Sequence, residues 1–282
     1  MNSLTPLTYI VFLLLCTCCT SFSQSKDKKS TSVQTTPLIV AHRGASKDAP
    51  ENTLPAFELA WVQNADAIEA DFHLTKDKQV VCIHDEDTEK VANKTLIVAE
   101  STLAELKQLD VGSYHSDQFK GVTIPTFAEV AATIPKGKKF YIEIKSDKKI
   151  ISYLFEEIKK SGLKADQIIF ISFSKEALTE IKNQAPQYKV FWLSNFKFNI
   201  LGKYTPSLKT VLASLKAINA DGFSSSRKKI NQNFVNKVIA AGYEHHVWTV
   251  NDKETAQRFQ SWGTKSITTD VPGKIKASLI QK

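Results

Sequence analysis

Two short apolar segments of this sequence each carry a pair of charged residues two positions apart. The segment AIEADF contains Glu69 and Asp71. The segment YIEIK contains Glu143 and Lys145. Residues at i and i+2 of a strand point to the same face of a sheet, so we expect the two members of each pair to project together.

Such charges need an explanation, because charged side chains are almost never buried without a counter-charge or a bound ion. Convergence of the carboxylates of Glu69, Asp71 and Glu143 would require a cation. Oxygen ligands alone favour a hard divalent ion, Ca²⁺ or Mg²⁺. The alternative interpretation is a buried network of ion pairs with Arg43 and Lys145.

Two histidines, His42 and His84, end the apolar runs LIVAH and QVVCIH. Imidazole titrates near neutral pH, so a pair of histidines beside a metal site suits acid and base catalysis. Taken singly, each could equally be a core histidine that bonds to the backbone. The remaining four histidines do not follow this pattern and are expected to serve structure or surface. No GxSxG motif supports a serine nucleophile.

The elements that would position these residues alternate between apolar strands and amphipathic helices. Eight strand–helix units can be counted from Leu38 to Ile280, if Gln79–His84 is taken as an extension of the second unit. This alternation predicts a parallel sheet covered on both faces. Eight units in one domain favour an α/β fold of the TIM type, a (β/α)₈ barrel, over an open sheet. No dinucleotide fingerprint or P-loop follows a strand.

The order of several motifs resembles that of the glycerophosphodiester phosphodiesterase (GDPD) family. The motifs are AHRGA, PENT, EADFHLTKD, VVCIHD, GVTIPTFAE, YIEIK, VWTVN and TTDVP, and they extend from Leu38 to Pro272. The resemblance implies a TIM-type barrel. It also implies a divalent-metal-dependent hydrolysis of glycerophosphodiesters to glycerol 3-phosphate and an alcohol, in glycerophospholipid metabolism.

The resemblance also implies a role for each site residue. It assigns Glu69, Asp71 and Glu143 as metal ligands. It assigns His42 and His84 as the acid–base catalysts, and Arg43, Lys145 and Trp248 as substrate contacts. The nucleophile could be a hydroxyl of the substrate's own glycerol, which would give a cyclic phosphate, or a water molecule.

Two other functions stay open at this point. A phosphodiesterase of the same fold could act on lysophospholipids or phosphoinositides, with an apolar rim formed by Phe196, Phe198, Ile200 and Leu201. A barrel that only binds glycerophosphodiesters is the third interpretation, and the complete set of acids and histidines argues against it.

The N-terminal residues are expected to direct export. An apolar run of about a dozen residues from Leu7 to Cys19 is too short to span a bilayer comfortably. We therefore predict a signal peptide over residues 1–23, a flexible linker over 24–36 and the GDPD domain over 37–282. The protein would be periplasmic or extracellular. Three of the four cysteines lie in the signal, so a lipoprotein signal is the alternative to free secretion.

The charge of the chain limits its partners. The formal net charge is +8, from 37 Lys and Arg against 29 Asp and Glu, but the lysine clusters are short and scattered. Nucleic-acid binding usually concentrates basic residues on one element, so no nucleic-acid partner is expected. A small anionic phosphodiester fits the positive charge, and membrane contact is expected only through a lipid anchor. The oligomeric state is left open.

Overall fold

The computed structural model describes Met1 and residues 36–198 and 204–280. Its central feature is a closed barrel of parallel strands. Its strands have the apolar, buried character that the sequence predicts. The strands are β1 Leu38–His42, β2 Ala67–Leu74, β3 Val80–Cys82, β4 Lys139–Ile144, β5 Ile168–Ser172, β6 Lys189–Ser194, β7 Lys197–Phe198, β8 Tyr204–Thr205, β9 Gly222–Ser226, β10 Glu244–Trp248 and β11 Ser266–Thr269.

Eight of these strands pair in parallel in the order β1–β2–β4–β5–β6–β9–β10–β11, and β11 pairs with β1 to close the barrel. The predicted (β/α)₈ fold is therefore confirmed. The register places His42 beside Glu69 on neighbouring strands, and Asp71 beside Glu143. Charged residues that are far apart in sequence thus lie at one end of the barrel.

Helices cover the outside of the barrel. They are α1 Leu54–Val62, α2 Leu103–Leu106, α3 Phe127–Ala132, α4 Ile150–Ser161, α5 Lys175–Gln184, α6 Leu208–Ile218, α7 Gln232–Ala240, α8 Lys253–Ser261 and α9 Pro272–Ile280. Several begin at a side chain that accepts a backbone N–H, as at Ser174 and Asp252. Thr102 and Glu105 form a capping box at the start of α2, which ends at Leu106.

The core has two layers. Between the strands and the helices lies a large apolar cluster that includes Phe57, Phe140 and Phe170. Inside the barrel, Tyr141 and Phe191 pack with neighbouring aliphatic residues. These rings fill the middle of the barrel, and cavities lie toward both of its ends.

Two excursions leave the barrel. After β2 the chain turns back through the antiparallel β3, and residues 75–126 bury a cluster of their own that includes Val81 and Leu106. The connection after β6 forms the small hairpin of β7 and β8. Among the described residues, no helix is long and apolar enough to cross a membrane. Residues 2–35, on which the predicted signal falls, lie outside the described part.

The predicted apolar rim is wrong for Phe196. Its side chain is 5% exposed, and its ring packs edge-on against Phe234 and Phe223 at centroid distances of 4.9 and 5.9 Å. Burial in the outer core removes this ring from any substrate. The side chain of Phe198, and residues Ile200 and Leu201, lie outside the described part of the chain.

Candidate active site

The three predicted acids converge at the carboxyl ends of β2 and β4. Glu69, Asp71 and Glu143 are each buried, and one oxygen of each lies within 4.8 Å of the others. The parallel register of Asp71 with Glu143 produces this arrangement, because it brings neighbouring strands level at the same depth. The predicted convergence is therefore observed.

The charges of this cluster are unbalanced. Burial, and the nearby carboxylates of Asp71 and Glu143, raise the pKa of Glu69 well above its ordinary value. Burial and Asp71 likewise raise the pKa of Glu143 to about 7, although Lys145 opposes the rise. Among the described residues, Glu69 Oε1 is buried without a hydrogen-bond partner. An all-oxygen set with one unsatisfied ligand atom fits a hard divalent cation.

Arg43 and Lys145 supply part of the counter-charge. Arg43 Nε lies 3.2 Å from Asp71 Oδ2. Lys145 Nζ lies 3.1 Å from Glu143 Oε1 and 3.7 Å from Asp71 Oδ1. Although burial acts to raise the pKa of Asp71, these cations lower it below its ordinary value. The alternative ion-pair network is thus present, but it does not satisfy Glu69 Oε1.

The turn after β1 places Arg43 by an unusual backbone conformation. Arg43 and Gly44 have φ values of 57° and 84°, in the left-handed region. A Cβ on Gly44 would lie 2.5 Å from the carbonyl carbon of Ala56, so only glycine fits there. The turn directs the Arg43 backbone N–H toward Glu69 Oε2 at 3.0 Å. It therefore fixes both the arginine and one of the acids.

Each predicted catalytic histidine is supported by a carboxylate. His42 Nδ1 lies 2.7 Å from Asp270 Oδ1, and His84 Nδ1 lies 2.6 Å from Asp85 Oδ1. Burial acts to raise the pKa of Asp270, but hydrogen bonds with His42, Asn251 and other neighbours hold it at about 2. An ionised carboxylate only accepts, so Nδ1 carries the proton and Nε2 is left for a substrate.

A cavity of about 240 Å³ joins these groups. Its charged or titratable lining residues are His42, Arg43, Glu69, His84, Glu143 and Lys145. Phe173 and Trp248 also line it, and their rings meet edge to face at 5.7 Å. The indole N–H of Trp248 donates to the carbonyl of Ser224 at 3.3 Å, which orients the ring. The cavity thus combines charged groups with aromatic rings.

Sequence reasoning missed four residues of the site. The Asn52 amide donates to Asp71 Oδ2 at 2.8 Å, and its oxygen accepts the Asp71 backbone N–H at 3.2 Å. Glu51 accepts from Arg43 at 2.8 Å. Asp270 and Phe173 were also given no role. Glu51, Asn52 and Asp270 lie in the PENT and TTDVP motifs, and that position was the only available signal.

The other histidines serve structure, as expected, where the described contacts show it. The side chain of His245 is enclosed between Ser225 and Thr264 at 3.1 and 2.9 Å. His246 stacks on Phe191 with a centroid distance of 3.8 Å. These residues lie away from the cavity.

At its strand ends, this parallel (β/α)₈ barrel gathers two carboxylate-supported histidines and three buried acids that could hold a cation. Comparison with known proteins identifies its class. The model of the glycerophosphoryl diester phosphodiesterase family matches residues 42–274. The chain belongs to this family and is an enzyme, which confirms the predicted resemblance.

Similar proteins cover almost the same length. A glycerophosphodiester phosphodiesterase of Bacillus subtilis (strain 168) is 32% identical over 251 residues, which are 83% of this chain and 84% of that protein. One from Caldanaerobacter subterraneus subsp. tengcongensis is 32% identical over 241 residues, covering 83% and 94%. The structure of an Oleispira antarctica phosphodiesterase in complex with the product sn-glycerol-3-phosphate has a TM-score of 0.78 and 27% identity, covering 86% and 96%.

Proposed function

We propose that this enzyme hydrolyses glycerophosphodiesters to glycerol 3-phosphate and an alcohol, with a divalent metal and with His42 and His84 as the acid–base pair, in glycerophospholipid metabolism. The observation that carries this proposal is the cavity that Glu69, Glu143 and the two histidines line together. An oxygen of Asp71 lies within 4.8 Å of those of the other two acids. The product named for the Oleispira antarctica neighbour supports the glycerol 3-phosphate half of the substrate.

Glu69, Asp71 and Glu143 would hold the metal, and Ca²⁺ and Mg²⁺ both suit their oxygen donors. A bound divalent ion would offset the charge that develops on the phosphoryl oxygens during attack. Glu69 Oε1 supports this assignment, because it is buried with no hydrogen-bond partner among the described residues and a cation would supply one.

Arg43 and Lys145 bind the phosphate in this proposal. Both line the cavity and both already face carboxylates. A guanidinium presents two parallel N–H donors to a phosphate, whereas an ammonium acts as a point charge. Trp248 covers the apolar side of the substrate and excludes water from it.

The two histidines exchange protons with the substrate through Nε2. One removes the proton from the attacking hydroxyl as its oxygen bonds to phosphorus. The other protonates the leaving alcohol as its P–O bond breaks. Asp270 and Asp85 hold the rings of His42 and His84 in the tautomer that leaves Nε2 toward the cavity. A glycerol hydroxyl of the substrate and a water molecule both fit this scheme as nucleophile.

The test is release of glycerol 3-phosphate from glycerophosphocholine, with and without chelator. We expect chelator to abolish activity and Ca²⁺ or Mg²⁺ to restore it. His42→Ala and Glu69→Ala should each lose at least ~10²-fold, the low end for an acid–base residue. Glu176→Ala, at an exposed position early in α5, is the control. Full activity of either site variant, or indifference to chelator, would refute this site.

One observation favours the second candidate function, a phosphodiesterase acting on lysophospholipids or phosphoinositides. Phe173 is 45% exposed where it lines the cavity, and an exposed ring could contact an acyl chain. A panel of glycerophosphocholine, lysophosphatidylcholine and a phosphoinositide separates the two functions. Preference for the soluble diester by kcat/KM supports the first function.

We also propose that the protein is exported through residues 1–23, either lipid-anchored or free. The apolar run Leu7–Cys19 followed by small polar residues supports this. Mass spectrometry of the mature N-terminus tests it. Cleavage near Ser23 indicates free secretion, a diacylated cysteine indicates an anchor, and an intact Met1 in the cytoplasmic fraction contradicts export.

A further inference from the structure

The end of the barrel opposite the catalytic cavity receives the chain from its N-terminal segment. We define the N-terminal face as the loops that lead into the strands, the first residues of the strands, and the last turns of α4–α8. Thr36 and Leu38 lie there, in a recess of about 370 Å³ that Lys139, Lys189 and Lys265 also line. The Leu38 backbone N–H donates to the carbonyl of Lys265 at 2.9 Å.

The acids of the N-terminal face are already neutralised. There are four of them, and each lies within ion-pair distance of a lysine. The pairs are Asp66–Lys276 at 2.5 Å, Asp166–Lys139 at 3.4 Å, Asp221–Lys182 at 2.8 Å and Glu244–Lys189 at 2.5 Å. These acids therefore offer little compensation to any further positive charge.

Seven more lysines on the same face have no acidic partner within the described part of the chain, and all but Lys138 are exposed. They are Lys136, Lys138, Lys159, Lys164, Lys216, Lys237 and Lys265. Three of them, Lys159, Lys216 and Lys237, lie in last helical turns, where a cation offsets the helix dipole. Of the four loop lysines, Lys138 donates to the carbonyl of Ala65 at 2.6 Å, and the exposed Lys136, Lys164 and Lys265 have no such explanation.

Beside His84, the catalytic end of the barrel is acidic rather than basic. A groove there is lined by Asp85, Glu86, Asp87 and Glu89, with fewer cations than acids. The barrel thus has a basic end, where the chain enters, and an acidic groove at the end that carries the cavity. A negatively charged planar surface would attract the first end and repel the second.

We propose that the N-terminal face docks on the surface of a bilayer that contains anionic phospholipid. Two observations select this partner. The N-terminal face is basic as a whole, because its four acids are paired with lysines and seven further lysines have no acidic partner in the described part of the chain. The predicted linker that precedes Thr36 in the sequence adds three lysines, Lys26, Lys28 and Lys29, and anionic phospholipid attracts such basic clusters. Each lysine contributes about five-fold to partitioning.

Docking in this orientation holds the mouth of the cavity away from the bilayer. Substrates would then arrive from solution, which favours soluble glycerophosphodiesters over bilayer-embedded lysophospholipids. The docking itself does not rest on the proposed hydrolysis, because the lysines concerned lie at the opposite end from the catalytic groups.

The experiment is co-sedimentation of the full chain with vesicles of phosphatidylglycerol and phosphatidylcholine, and with phosphatidylcholine alone. All proteins keep residues 1–36, so the apolar run contributes equally. The test variant is Lys136→Gln/Lys164→Gln/Lys265→Gln. The control variant removes the same charge from loops at the catalytic end, as Lys120→Gln/Lys148→Gln/Lys228→Gln.

We expect the test variant to lose about 100-fold in partitioning onto the anionic vesicles, from about five-fold for each of three lysines. The control should lose less than ten-fold, and the difference should disappear at high salt, which screens the attraction. On phosphatidylcholine alone the three proteins should bind equally. Equal losses in both variants, or none in either, would overturn the proposal. The proposal would also be overturned if the test variant lost binding to a DNA duplex while its binding to the vesicles stayed unchanged.

Discussion

Neutralising Glu143 should stabilise the metal-free enzyme while it removes a proposed metal ligand. The pKa of Glu143 rises from the ordinary 4.5 to about 7, because of burial and of Asp71 nearby. At a pH between these two pKa values, Glu143 is protonated in the folded protein and ionised in the unfolded chain. The free energy of unfolding of the metal-free protein therefore falls as pH rises from about 4.5 to about 7.

The size of the effect follows from this difference. A change from 4.5 to about 7 corresponds to about 3 kcal/mol at pH 8. Glu143 is 9% exposed, so solvent screens this energy only slightly. Glu143→Gln has nearly the same shape and no charge, so it avoids the cost. In chelator at pH 8 we expect its Tm to exceed that of the wild type by roughly 6–12 °C.

Thermal unfolding in chelator at pH 8 and at pH 5 provides the measurement. The two proteins should differ at pH 8 and converge at pH 5. Asp71→Asn is the matched control with the opposite sign, since Arg43 and Lys145 lower the pKa of Asp71 and stabilise its ionised form. Added Ca²⁺ or Mg²⁺ should raise the Tm of the wild type more than that of Glu143→Gln. A Glu143→Gln protein that is no more stable at pH 8 refutes the reasoning.

Three further predictions follow from the contacts. Asp270→Asn removes the anionic acceptor that fixes the His42 tautomer, so kcat should fall on the order of 10²–10⁴-fold; steady-state kinetics with unchanged kcat would contradict this. Asn52→Ala removes the 2.8 Å amide donor of Asp71 and should weaken metal binding roughly 10–100-fold by calorimetric titration; equal affinity would exclude that role. Burial lowers the pKa of His245 from 6.5 to about 3, so the unfolded chain takes up the proton first. The free energy of unfolding therefore falls as pH drops through this window, by on the order of 5 kcal/mol in total. In urea unfolding at pH 7 and pH 4, His245→Gln should lose less stability than the wild type, and an identical loss would count against this cause.

The helix and strand order could be predicted because each element has a local signal. Apolar runs such as KVFWLS, and the capping box of Thr102 with Glu105, depend only on neighbouring residues. Their bounds depend on tertiary contacts as well. In the segment ADGFS the strand begins only at Gly222, and it extends to Ser226. Asp221 lies just before it, where its side chain accepts the backbone N–H of Val190 on the next strand and pairs with Lys182.

Phe196 shows a failure of a different kind. An exposed connection between elements was expected to present its apolar residues to the substrate. Whether an aromatic side chain points inward or outward depends on the surface beneath it. Here Phe223 and Phe234 provide an apolar surface, so the ring of Phe196 is buried.

The sequence by itself determined the barrel, the residue types of the site and the pairing of Glu69 with Asp71 on one strand face, because periodicity and chain order are local properties. Only the tertiary structure decided which charges remain uncompensated. Asp270 reaches His42 across 228 positions of sequence, and Asn52 reaches Asp71 from a separate turn. Electrostatic energy depends on distances between such residues and on their burial, and both are set when the barrel closes. Within the part of the chain that the structure describes, that closure leaves Glu69 Oε1 without a hydrogen-bond partner at the site of the proposed metal.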